Sequence, residues 1–350
     1  MKERVVPNLH DLGAAALAAE LSPHVHPSFR IRQIEKWLHD RGAWSFDQMT
    51  DLPRELRDSL ASRFTLDLAE TTERTPPAPD GSEKFLFRLG DGSLVESVFM
   101  PMGERTTLCL SSQAGCAVGC TFCVTGFYGA GRNLTPSEIV GQVHRIRLEK
   151  DVAWERMNLV FMGMGEPLLN FENLAIALET LERNVSPRRI TISTSGIIPG
   201  IRELAALERR PNLAVSINAP DQKRREEIMP ITKKYPLAEL IETLREYPLE
   251  KGREMTAEYV LLAGWNDAPD DAAQLARLLR GLDVKVNAIP FNPDPSLPEW
   301  MKRPHDAAID RFAAALVRHR VPVTVRRSRG DQISAACGQL RGKSERRRGA

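Results

Sequence analysis

Gly115-Cys116-Ala117-Val118-Gly119-Cys120-Thr121-Phe122-Cys123 follows directly on the apolar run Leu108-Cys109-Leu110-Ser111-Ser112, and these residues set the reading of the whole chain. Three thiols crowd a glycine-bearing loop at the end of a predicted strand. Downstream of it, strand-like runs at 108–112, 158–162, 190–194, 213–217, 256–262 and 284–289 alternate with stretches of helical length and spacing. Those stretches are 136–149, 171–184, 201–208, 237–247, 270–282 and 306–319. Such alternation predicts parallel βα units, closed as a barrel or open as a doubly wound sheet. The cysteine loop then sits where ligands bind in such folds, beyond the carboxyl ends of the strands.

Three thiolates can hold three irons of a four-iron, four-sulfur cluster and leave the fourth iron open to an outside ligand. Structural zinc normally takes four protein ligands, so a zinc knob would need a further, distant His or Cys. Neighbouring glycines let the backbone wrap a bulky inorganic core. The polar strand ends supply groups for a small ligand on the same face: Gly163-Met164-Gly165-Glu166-Pro167, Ser193-Thr194-Ser195-Gly196, Ser216-Ile217-Asn218 and Asn292 in Pro290-Phe291-Asn292-Pro293. Singly, each would pass for a turn. Two cysteines remain: Cys109 reads as a small buried hydrophobe in a strand, whereas Cys337 lies among Gly and polar residues, as in an accessible loop.

Ahead of the barrel pattern, apolar residues at helical spacing (Leu12, Leu17, Leu21, Ile31, Ile34, Leu38, Leu52, Leu56, Leu60) predict a small helical domain over 1–75. Thr75-Pro76-Pro77-Ala78-Pro79-Asp80-Gly81 has linker composition, and 84–89 and 93–100 around Gly90-Asp91-Gly92 read as a β-hairpin, so 76–106 forms a linker and hairpin unit. The barrel occupies 107–330, and 331–350 carries Cys337 and a basic tail. The 350 residues have a formal net charge of only +2, too little to announce nucleic-acid binding by itself. The basic residues Arg326, Arg327, Arg329, Arg341, Lys343, Arg346, Arg347 and Arg348 gather at the end, where they suit contacts with phosphates. Five cysteines without an apolar signal core argue against a disulfide framework, and no apolar run reaches membrane-spanning length. A cytoplasmic protein is expected.

The CxxxCxxC spacing resembles the radical S-adenosylmethionine (SAM) superfamily, and a set of ordered motifs resembles its RlmN family of RNA adenine methyltransferases over nearly the whole chain. These are Phe29-Arg30-Ile31-Arg32-Gln33-Ile34 with Trp37, Leu108 to Gln113, Arg132-Asn133-Leu134, Phe161 to Asn170, Met229-Pro230-Ile231, Glu258-Tyr259-Val260 and Ala335-Ala336-Cys337-Gly338-Gln339-Leu340. The resemblance implies an α/β fold, a radical SAM partial (βα)6 barrel with a small N-terminal helical domain and a β-hairpin extension. It implies a 4Fe-4S cluster on Cys116, Cys120 and Cys123, and SAM held by Gly165, Glu166, Ser193, Ser216, Ile217, Asn218 and Asn292. Carbon 2 of adenine is neither acidic nor usefully nucleophilic, so a radical route is required. By resemblance, Cys337 is methylated and carries the methyl group to adenine, Glu96 accepts the proton of the adduct, and Cys109 releases the product through a transient disulfide with Cys337. The implied substrates are 23S rRNA and also tRNA, with an electron donor such as flavodoxin and a monomeric enzyme. Asn218 stands where the family usually has His, which removes a group able to carry charge near neutral pH. The rival readings are a Cfr-like methyltransferase acting on carbon 8 and, from another class, a noncatalytic RNA-binding protein with a structural metal.

Overall fold

Apolar residues at helical spacing build the first unit, in a computed structural model that describes residues 6–326 and 337–340. Helices α1 (Ala14–Leu21), α2 (Phe29–Glu35) and α3 (Arg54–Ala61) close on a core of Leu9, Leu17, Leu21, Ile34, Leu38, Leu60 and Phe64. A π-helical turn, Lys36–Arg41, extends α2 and stops at Gly42, whose φ of 68° suits a residue without a Cβ. The unit's two ends are tied together where Leu9 N donates to Thr65 O and Thr65 N to Pro7 O, both at 3.0 Å.

The rest of the chain lays down one sheet of ten strands in sequence order. Strands β1 (Glu70–Arg74), β2 (Glu83–Arg88), β3 (Leu94–Met102) and β4 (Arg105–Cys109) form an antiparallel meander. From β4 onward the pairing is parallel, through β5 (Met157–Phe161), β6 (Ile190–Thr194), β7 (Asn212–Ser216), β8 (Met255–Leu261), β9 (Val284–Pro290) and β10 (Val323–Val325). The crossovers carry helices α4 (Pro136–Glu149), α5 (Phe171–Leu181), α6 (Ile198–Ala206), α7 (Gln222–Ile228), α8 (Leu237–Glu246), α9 (Pro269–Leu278) and α10 (Asp306–Arg318). Strands added in one direction, each through a crossover of the same hand, put the helices on one face and curl the sheet around the other. The expected partial barrel is therefore present as β4 to β9, with β10 as a further parallel strand. The hairpin of β2 and β3 pairs directly into that sheet.

Three elements carry little sequence signal. Strand β1 is Glu-Thr-Thr-Glu-Arg and largely exposed, α7 is almost wholly polar in sequence, and β10 has three residues. By contrast α4 announces itself: Pro136 opens it, and Thr135 with Glu138 forms a capping box.

The helical unit docks on α4 and α5. Ser137 N donates to Asp11 Oδ1 at 2.8 Å, Asn184 Nδ2 to His39 O at 3.1 Å, and Trp154 Nε1 to Asp40 O at 3.0 Å. His10, His39 and His144 are all buried at this junction, and burial lowers the pKa of each. No helix among the described residues is long and apolar enough to cross a membrane. The basic residues Arg327, Arg329, Arg341, Lys343, Arg346, Arg347 and Arg348 lie outside the described residues. Arg326, grouped with them in the sequence, does not behave as a solvated tail residue: its main chain bonds to Ala288 O at 2.8 Å beside β9, and its charge faces Cys337, Glu258 and Cys109.

Candidate active site

Beyond β4 the chain enters the cysteine loop through a narrow neck. Ala114 N donates to Arg132 O and Cys116 N to Gly129 O, both at 2.9 Å. The neck closes only because Gly115 and Gly131 lack side chains. A Cβ on Gly115 would lie 2.7 Å from Gly129 O, and one on Gly131 would lie 1.7 Å from Ala114 O. Outside the neck, Arg132 grips Asp91 of the β2–β3 turn at 2.6 Å and Glu138 of α4 at 2.7 Å, which ties the hairpin to the loop exit.

Cys116, Cys120 and Cys123 share the wall of a cavity of about 160 Å³ with Gly165, Glu166, Ser193, Ser216, Asn218, Asn292 and Cys337. Burial pushes the Cys116 thiol up to about 12 and raises Cys120 and Cys123 as well. Such thiols ionise readily only beside a compensating positive charge, which cluster irons provide. Among the described residues no three His, Cys, Asp or Glu side chains are set to hold a single ion. A four-iron cluster offers a separate iron to each thiolate, so its ligands spread over a wall. Ser195, also on that wall, has its Oγ buried beside the Glu166 carboxylate. The donor set and the cavity thus fit a cluster with SAM beside it.

The wall is rigid by construction. Gly163 and Gly165 admit close backbone approach, since a Cβ would meet Leu110 O at 2.6 Å or Gln113 Cβ at 2.5 Å. Glu166 takes the Ser195 N–H at 2.6 Å and the Leu168 N–H at 3.1 Å, and donates its own N–H to Gln113 Oε1 at 2.8 Å. Burial raises its carboxyl pKa while these hydrogen bonds pull it down. Asn218 has a φ of 58°, a left-handed conformation that Asn tolerates. Its Oδ1 accepts from Val260 N at 2.8 Å and its Nδ2 donates to Met229 Sδ at 3.2 Å. That side chain is committed to holding the β7 and β8 ends together. Ile217 is fully buried and lies outside the cavity lining.

Cys337 is brought to the cluster loop by its neighbours. Val124 N donates to Gly338 O at 2.7 Å and Thr125 Oγ1 to Leu340 O at 2.8 Å, while Asn292 Nδ2 donates to Cys337 O at 3.3 Å. Cys109 is buried at the end of β4, its thiol pushed up to about 12 by burial and further by the charge of Cys337. All five cysteines are free thiols, so the Cys109–Cys337 disulfide is not formed in this state. Glu96 is buried as well, paired with Lys84 Nζ at 3.1 Å. The register Val98 to Cys109 puts Glu96, two residues along β3, on the sheet face that Cys109 occupies, although Glu96 does not line the cavity.

Two groups went unnoticed as site residues. Glu258 lines the cavity, and burial raises it to about 7 against the charge of Arg326 and a hydrogen bond from Asn287. Arg225 stands behind the wall, fully buried. Charged residues default to the surface in a sequence reading, so only the polar strand ends beside them gave a signal.

A partial βα barrel with three cysteines of a CxxxCxxC loop in one cavity at its strand ends defines a radical SAM protein. Comparison with known proteins agrees: residues 110–279 match the radical SAM superfamily, and residues 7–66 match the ribosomal RNA large subunit methyltransferase N-terminal domain. A dual-specificity RNA methyltransferase RlmN from Anaeromyxobacter dehalogenans is 48% identical, over 95% of this chain and 91% of the relative. One from Geobacter sulfurreducens is 47% identical, over 90% and 86%. The crystal structure of a radical SAM methyltransferase from Sphaerobacter thermophilus superposes with a TM-score of 0.89 at 44% identity, covering 96% of this chain and all of that one. The chain belongs to the RlmN family of radical SAM methyltransferases, and with that membership come a 4Fe-4S cluster and SAM as cofactors.

Proposed function

We propose that this protein methylates carbon 2 of adenine in 23S rRNA and in tRNA, in the cytoplasm, as a monomer fed by a flavodoxin-like electron donor. The observation that carries the reading is the placement of Cys337. A thiol from the far end of the chain is held against the cluster loop and within electrostatic reach of a second buried thiol, Cys109. A structural metal site has no use for such a pair.

In this reading Cys116, Cys120 and Cys123 hold the cluster, which supplies the electron that cleaves SAM. Gly165, Glu166, Ser193, Ser216 and Asn292, with Ser195, hold SAM; Asn218 positions the wall. Cys337 carries the methyl group, and Glu96, fixed by Lys84, accepts the proton from carbon 2. Cys109, having lost its proton, attacks the sulfur of Cys337, and the bond from that sulfur to the bridging carbon breaks. The carbon leaves with the electron pair and takes a proton to become the methyl group of the base, and the two sulfurs are left joined.

The test is a pair of variants. Cys109→Ala retains the carrier and loses the releasing thiol, so RNA should stay covalently bound to Cys337 through a denaturing gel until nuclease treatment. Cys337→Ala should form no adduct. Release of free methylated adenine at the normal rate by both would refute the two-cysteine reading. Chromatography of the digested nucleoside against 2-methyladenosine and 8-methyladenosine standards distinguishes carbon 2 from carbon 8, since the two share one mass.

A further inference from the structure

Arg225 on α7 is fully buried, and its guanidinium is spread over strand ends. Nη2 donates to Ser195 O at 2.7 Å and Ser216 O at 2.8 Å, Nε to Ile217 O at 3.2 Å, and Nη1 to Thr232 Oγ1 at 2.6 Å. Every one of these partners is neutral. A buried charge is costly unless another charge compensates it, and neutral donors would satisfy the same carbonyls. Ser195 and Ser216, whose carbonyls it holds, line the cavity together with Cys116, Cys120 and Cys123, which sets the guanidinium directly behind that wall. The helix that holds Arg225 also holds the cluster loop, because Thr121 N donates to Ile228 O at 3.0 Å.

We propose that Arg225 is a positioning residue for electron entry: a fixed cation behind the cavity wall that makes a cluster on Cys116, Cys120 and Cys123 easier to reduce. The inference rests on the assignment of those three thiols as ligands. Reduction adds one negative charge to the cluster, and a fixed positive charge in a low-dielectric wall stabilises the more negative state. Burial draws the guanidinium down to about 10, which leaves it protonated at neutral pH. Glu166, which lines the cavity and whose charge raises Cys116 and Cys120, acts in the opposite sense.

The experiment is a potentiometric titration, followed by electron paramagnetic resonance, of the full chain reconstituted anaerobically without SAM. Iron content and thermal unfolding are measured alongside. Arg225→Gln keeps a hydrogen-bond donor without charge, Arg225→Met removes both, and Arg225→Lys keeps the charge. The Gln and Met clusters should reduce at more negative potential, with a loss of about tenfold in the reduction equilibrium at the wild-type midpoint, and the Lys cluster should stay near wild type. Gln or Met clusters with full iron and an unmoved midpoint would overturn the proposal. If the neutral variants take up no iron while Lys loads fully, the charge serves assembly of the cluster and not its potential, and the proposal is wrong. If Lys fails with them, Arg225 is a staple for strand ends and the proposal is wrong. Absence of any cluster in the wild-type chain would instead refute the ligand assignment itself.

Discussion

Gly131→Ala tests whether the neck of the cysteine loop is what shapes the cluster site. The new Cβ would lie 1.7 Å from Ala114 O and 2.4 Å from its carbonyl carbon, where real Cβ atoms stay beyond 3.0 Å. The obstacle is backbone, so more than an ångström must be found by moving Ala114 and Gly115 away from the loop's return strand. That movement breaks the two bonds across the neck, Ala114 N to Arg132 O and Cys116 N to Gly129 O, at about 1 kcal/mol each. The φ of +57° adds about 1–2 kcal/mol for a residue with a Cβ. Gly129→Ala is the matched control: its φ is +83° but a Cβ there meets nothing within 4 Å. The control should lose only the conformational part, about 1–2 kcal/mol, and take up its full iron. Gly131→Ala should lose about 3–4 kcal/mol and most of its iron on reconstitution. Thermal unfolding of the apo chain and iron per chain are the two readouts. Equal stability and equal iron in the two variants would show that the neck does not set the site.

Glu258 has a folded pKa of about 7, raised by burial, so the fold carries a penalty that grows as pH rises from the unfolded value through 7. Glu258→Gln should therefore stabilise more at pH 8 than at pH 6, by about 1 kcal/mol, and a pH-independent difference in unfolding midpoint would contradict this. His39, pushed down to about 3 by burial and the charge of Arg183, should show no ring titration by NMR between pH 8 and 5. Its contribution to stability is complete above 6.5 and falls as pH drops below that value, because only the unfolded chain then takes up the proton; a titration near 6.5 would sink the assignment. Asn218→Ala strands the Val260 N–H and puts alanine at φ 58°, which should cost about 2–4 kcal/mol in urea unfolding. A neutral result would mean that Asn218 does not brace the wall.

The barrel was legible because its signals are local. Thr135, Pro136 and Glu138 spell out the start of α4, and the apolar runs of β5, β6 and β9 stop at the residues where the strands stop, or within one of them. The cysteine loop was legible for the same reason, its ligand types being close in sequence. What escaped is set by tertiary pairing. Glu96 by itself would pass for a surface residue until Lys84 across the hairpin buries it. Arg326 was grouped with a basic tail, and only its place beside β9 turns its charge toward the two thiols. Asn218 lines the cavity as a ligand contact would, and its hydrogen bonds run also to a neighbouring strand and a methionine that the sequence does not announce. Nothing in the order of residues announces such partners.

The bonds from Val124 and Thr125 to Gly338 and Leu340 have a consequence for assembly. They run from the segment just past Cys123 to the segment just past Cys337, the proposed methyl carrier, so an ordered loop creates the berth in which that carrier docks. By thermodynamic reciprocity, whatever favours loading of the loop also favours docking, and a docked carrier returns the same free energy to the loop. Maturation of the metal centre and arming of the carrier are thereby interlocked, and a chain that has lost its inorganic core also loosens its grip on the thiol that would have used it.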